Sequence, residues 1–229
     1  MVDLKSFRQK WSADQKRLRE LYTAGNQLEE TQNLFSSQHA VLHSRTMTGQ
    51  GDWSFADLVF GDIDDELFRK VPDQTDHSLI WILWHISRIE DVTLNVLVAG
   101  GSQIYLRDGW KEKLSSPIHH VGNLIDTEDL AAISQALDPD LLFSYRDAVG
   151  RQTQIIAAGL EEDFLAQKVP PERLTRLLEE GAVLPQAEGL LAYWRKRRIF
   201  EMLLMPPTRH LMTHLNEAYS LRKILEKPQ

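Results

Sequence analysis

Apolar residues recur along this chain every three or four positions, the period of helices with one buried face. Strand-like alternation is weak throughout. Residues 3–23 form a charged leading helix in this reading. Residues 26–46 form a second, with Leu28, Phe35, His39 and Leu42 on one stripe. Short helices are expected at 54–60 and 63–69. A long one is expected at 76–99, capped by Asp76 or Ser78 and stopped at Gly100-Gly101. The stretch 102–126, which contains "SSPIHH", reads as loop. Helices follow at 127–136 and 139–160, the latter with Pro139 in its first turn. Further helices are expected at 171–181 and 187–204, and the last runs from Pro206 or Pro207 to about Leu225. Glycine and proline fall between these segments, as in "GQGD" at 49–52 and "MPP" at 205–207. The expected fold class is all-α: a four-helix bundle with additional N-terminal and inserted helices. A single domain spans 1–229, with 1–25 leading, the bundle over 26–226, and insertions at about 102–138 and 161–195.

The composition narrows the function. The chain has 229 residues, 42% of them hydrophobic, which is enough for one sizeable core. A formal charge of −7 disfavours nucleic acid and anionic membranes as partners. "RKRR" at 195–198 is the local exception and reads as a solvated helix face. With no cysteine there is no disulfide, no thiolate nucleophile and no cysteine-type zinc site. The charged start lacks an apolar signal region, and "LIWILW" at 79–84 is too short to span a bilayer. The expectation is a soluble cytoplasmic protein.

The histidines carry the candidate chemistry. His85 occupies a core slot on the stripe Ile82, His85, Ile89, Val92, Val96, Ala99. A buried neutral imidazole needs a partner for each ring nitrogen, or a metal. His214 holds a similar slot on the last helix, with His210 one turn before it. An i,i+4 pair is offset by only about 40° and about 6 Å, so both rings can converge on one ion. Three imidazoles with open positions suit Zn²⁺, Ni²⁺ or Fe²⁺. A hydrogen-bonded core histidine is the plainer reading of each alone. His39 and His43 form a second pair with the same spacing, able to add a fourth ligand or a proton-transfer group. His77, His119 and His120 read as surface or capping residues. Glu217 is a candidate acceptor behind a ligand, or a general base. Arg88, Tyr145, Gln152 and His39 are candidate cavity residues. No HExxH, ExxH, GxSxG, P-loop or GxGxxG occurs, which excludes zincin, ferritin-type, hydrolase-elbow and nucleotide-loop readings.

Three segments resemble the DinB-like superfamily of YfiT-type metal-binding four-helix bundles: "HSLIWILWHISRIEDVTLNVLVAGG", "DPDLLFSYRDAVGRQTQII" and "PPTRHLMTHLNEA". The resemblance implies a divalent metal held by His85, His210 and His214. It also implies a small-molecule substrate, a homodimer, and chemistry of the thiol-dependent transferase, isomerase or hydrolase kind, with a low-molecular-weight thiol as cosubstrate. A non-catalytic metal- or partner-binding bundle is the alternative. The leading helix, the 102–126 loop and the 161–195 insertion depart from the family pattern.

Overall fold

The computed structural model describes residues 2–49, 53–73 and 75–227. Within them the chain is helical, and the one strand-like pairing is an antiparallel bridge between Lys168 and Arg198. Five long helices organise the body: α1 (Leu4–Ala24), α2 (Leu28–Ala40), α3 (Leu79–Asp91), α4 (Pro139–Ala158) and α5 (Leu211–Leu225). Helix α3 is central and packs on both α4 and α5, while α2 lies between α1 and α4.

Local chemistry sets the ends. Ser78, not Asp76, caps α3 by accepting from the Trp81 amide at 3.1 Å. Asp138 caps α4 at the Leu141 amide, 2.9 Å away, with Pro139 following it. The long helix continues past α3 as a π-helical segment, Val92–Val98, and stops at Gly100, whose φ of 71° suits glycine. A second π segment, Met205–His210, leads into α5. Pro206 and Pro207 have no amide to donate there. Side chains bond carbonyls of the preceding turn: Thr208 Oγ1 donates to Leu203 O at 3.1 Å, and Gln15 Nε2 to Leu204 O at 2.9 Å.

Several boundaries differ from the periodicity. Helix α2 ends at Ala40 rather than continuing to 46, because Ser44 caps a separate turn, Arg45–Thr48. The presumed loop 102–126 contains helices Ile104–Arg107 and Trp110–Leu114. The segment 187–204 breaks between Glu188–Arg195 and Ile199–Leu204. "RKRR" is therefore a solvated helix junction rather than one helix face, with Arg197 paired to Glu201 at 3.0 Å. Of the turn expected at 49–52, only Gly49 lies within the described residues.

The leading helix is part of the packed body. Trp11, Leu18 and Leu21 are buried, Arg8 Nε donates to Asn216 Oδ1 at 2.7 Å, and Gln38 Nε2 donates to Trp11 O at 2.9 Å. Every residue from Leu79 to Val98 is buried, so α3 and its continuation have no solvent face. A helix apolar all round belongs in the middle of a fold, and polar residues on it must find partners inside.

Candidate metal centre

The π segment ends on His210, so His210 and His214 begin α5 one turn apart, facing His85 on α3. One ring nitrogen from each of the three lies within 4.8 Å of the others. His85 Nε2 and His210 Nε2 are 3.1 Å apart.

Hydrogen bonds fix which nitrogens carry protons. His85 Nδ1 faces the Val121 carbonyl at 2.6 Å. A carbonyl only accepts, so Nδ1 donates and Nε2 keeps a bare lone pair. His214 Nδ1 donates to Glu217 Oε2 at 2.7 Å, which leaves His214 Nε2 bare as well. His210 then donates its Nε2 proton to His85, and its buried Nδ1 has no partner. Moving that one proton to Nδ1 frees a third lone pair. Two nitrogens bound to one ion at about 2.0–2.1 Å, with bond angles of about 90° to 109°, sit about 2.9–3.4 Å apart. The 3.1 Å spacing falls inside that range. Burial, then the neighbouring His214, pushes His85 down to about 3, and burial with His85 and His214 holds His210 well below the usual histidine range. Both are neutral, as ligands must be.

The groups behind the triad are equally specific. Three successive carbonyls of the segment before Gly122 accept from α3: His119 O from Arg88 Nη2 at 2.9 Å, His120 O from Trp84 Nε1 at 3.2 Å, and Val121 O from His85. Val121 N donates to Ala182 O at 2.9 Å, which ties this strap to the inserted region. Gly122 has φ 86°, and a Cβ there would meet Trp81 Nε1 at 3.1 Å and His85 Nδ1 at 3.6 Å. Trp81 stacks between His77 and His85, with ring centroids at 3.7 and 4.8 Å. Glu217 accepts from His77 Nδ1 at 2.6 Å as well as from His214. Burial opposes its charge, yet these two hydrogen bonds bring it to about 2.

Glu217 is thus placed as an acceptor, with one oxygen engaged by His77 and the other by His214. His77 belongs to the shell of the site rather than to a helix cap, and His120 is buried, its Nδ1 accepting from the Gly122 amide at 3.1 Å. His119 is exposed, as its sequence context suggested.

His39 and His43 do not join the triad. Both are fully buried and clasp Glu90 on α3, His39 Nε2 to Oε1 at 2.7 Å and His43 Nε2 to Oε2 at 3.0 Å. Gln154 Nε2 donates to His39 Nδ1 at 2.8 Å, so His39 carries its proton on Nε2. His39, His43 and Glu90 are the second group among the described residues able to hold an ion. That placement sets His39 and His43, considered as cavity and proton-transfer groups, against Glu90 rather than beside the triad.

Arg88 lines a cavity of about 380 Å³ together with His119 and His120. Its guanidinium is occupied by Asp91, Tyr145 OH, Gln103 and the His119 carbonyl. Tyr145 is buried and also donates to Asp91 at 2.7 Å, so it braces Arg88 rather than the triad. Gln152 is half-buried at the flank of α4, whose buried face runs through Tyr145, Val149, Thr153 and Ile156. The residue that reaches a histidine is Gln154.

Residues 50–198 match the family model described as the DinB superfamily, a span that contains α3 with His85 and α4 but ends before His210 and His214. No curated protein matches the chain. With more than half of its length inside that match and an all-helical body built around α3, the chain belongs to the DinB superfamily.

Proposed function

We propose that this chain is a divalent-metal-dependent enzyme whose His85, His210 and His214 hold one Zn²⁺, Ni²⁺ or Fe²⁺ ion. The reaction class is transfer or hydrolysis on a small molecule, with a thiol or water as the nucleophile. The observation that carries this reading is the convergence of three imidazole rings, with the Nε2 atoms of His85 and His210 3.1 Å apart and the Nδ1 protons of His85 and His214 anchored to Val121 O and Glu217. Such an ion lowers the pKa of a bound water or thiol toward neutrality.

The protein's own groups do the positioning. The Val121 carbonyl holds the His85 ring in one tautomer. Glu217 does the same for His214 and is itself held by His77. The triad contains three protein donors and no carboxylate, which leaves coordination positions for an exogenous ligand. His210 and His214 are half-buried, so these positions face the side of the site that solvent reaches.

The test is metal content of tag-free protein. His85→Ala, His210→Ala and His214→Ala should each lower affinity by more than the about 10–100-fold typical of losing a partner behind a ligand. His119→Ala, at an exposed position, should leave occupancy unchanged. Full occupancy in a folded His85→Ala protein would defeat the assignment. A second reading, a metal-binding bundle without catalysis, is favoured by one observation: the cavity of about 640 Å³ beside Phe60, Phe68 and Phe143 is not lined by the triad. Exchange of bulk water at the bound ion separates the two, being rapid at an open catalytic position and absent at a closed one.

A further inference from the structure

We infer that His39, His43 and Glu90 form a second, fully enclosed divalent-metal site that cross-links α2 to α3. It shares no residue with the triad and does not rest on it.

The donor set is complete in itself. His39 projects from the last turn of α2 and His43 from the bend just beyond it, and Glu90 meets them from α3 with one oxygen for each ring. The N–O separations of 2.7 and 3.0 Å are those of a hydrogen-bonded clasp. They are also close to the separation of neighbouring ligand atoms on one ion, about 3 Å for bonds of about 2.1 Å. Replacing two protons by an ion therefore needs little movement of the rings.

The protons have somewhere to go. The His43 proton moves from Nε2 to Nδ1, a buried atom with no hydrogen-bond partner. The His39 proton moves to its Nδ1 if the Gln154 amide turns over to present its oxygen, which gives up the Gln154 hydrogen bond to Ser36 O and reverses the one from Ser36 Oγ. Glu90 is a carboxylate before and after, so the exchange is two tautomer shifts with no net proton release.

The rings are held in place by packing. Phe35 stacks on His39 with centroids 5.6 Å apart and planes within 13°. Gly150 on α4 lies against His43, where a Cβ would fall 2.6 Å from Nδ1. The position is open only because α4 has no side chain there. All three donors are wholly buried, which leaves no place for several bound waters and disfavours Mg²⁺. Two imidazoles and one bidentate carboxylate suit four-coordinate Zn²⁺ or Co²⁺. Among the described residues no Lys or Arg pairs with Glu90, and both its oxygens face imidazole. Arg146 acts on Glu90 and His43 from a distance while donating to the Leu42 carbonyl. Its positive charge works against an ion, so this site is the weaker of the two.

Cobalt(II) is the probe, because its visible spectrum reports nitrogen–oxygen coordination. Wild-type, His85→Ala/His214→Ala and Glu90→Gln chains are unfolded and refolded with Co²⁺ so that entry through the closed body is not limiting. The expected counts are two ions per wild-type chain, one in the double variant and one in Glu90→Gln. A hydrogen-bond clasp only is the opposing outcome: the folded double variant binds none, and Glu90→Gln leaves the wild-type count unchanged. That result overturns the proposal. Should Glu90→Gln not fold, the double variant alone decides, since it leaves the buried cluster intact. Failure of the triad reading looks different, because the double variant would then hold as many ions as wild type.

Discussion

At the scale of single residues, the site is a matter of which nitrogen holds a proton. Glu217 fixes His214 through Nδ1 and is fixed in turn by His77. Glu217→Gln removes the negative charge and leaves one acceptor oxygen for two donors. Metal affinity should therefore fall about 10–100-fold, without loss of fold. Isothermal titration of the metal-free protein measures this, and an unchanged affinity would show that Glu217 does not orient the ligand. The histidines could be read from their stripes, since a polar residue in an apolar helical register is conspicuous. Glu90 could not be read that way. It lies off the stripe through His85, and only the burial of α3 on every side makes it an inward group. The signal in the sequence was nonetheless there: Arg88, Glu90 and Asp91 stand together in an otherwise apolar helix, and buried charges must pair. His120 and His77 were misplaced because segments without periodicity give no indication of what they lie against.

At the scale of elements, start and stop chemistry was legible and continuity was not. Ser78, Asp138 with Pro139, and Gly100 mark ends that the structure keeps. The breaks at Ala40 and Arg195 depend on a cap inside an apolar run and on a turn between two packed pieces. Neither interrupts the three-to-four spacing. The π segments are beyond any periodicity argument, because one additional residue per turn arises from where carbonyls find donors. Gln15 supplies one such donor from far away in sequence. The leading helix thus contributes no ligand, yet it supports the turn that aims His210.

At the scale of the whole molecule, buried imidazoles make the metal-free fold sensitive to acid. His85 and His43 are both held at about 3, by burial first, then by His214 for one and Arg146 for the other. In the unfolded chain each titrates near about 6.5. Below that pH the unfolded state binds protons that the folded state refuses, so stability falls as pH drops from about 6.5 toward 3. The limit is about 1.4 kcal/mol per pH unit for each histidine. Glu90, held well below the carboxylate range by the two imidazoles despite its burial, adds a loss of the same sign at lower pH. Urea midpoints of metal-free protein should decline steadily between pH 7 and 5, and a flat profile there would contradict this account.

The stack of His77, Trp81 and His85 has an optical consequence. Trp81 lies face to face with a proposed ligand ring, at centroid 4.8 Å and 5° between planes. Its excited state therefore sits within quenching range of whatever His85 holds. Of the six tryptophans in the chain, Trp81 is stacked on the triad. An open-shell ion such as Co²⁺ or Ni²⁺ should darken that one emitter, while Zn²⁺, with its filled d shell, should leave it bright. Trp81→Phe should abolish the difference between the two ions while sparing most of the total emission. Loading of the triad could then be followed in real time by fluorescence, without any added dye.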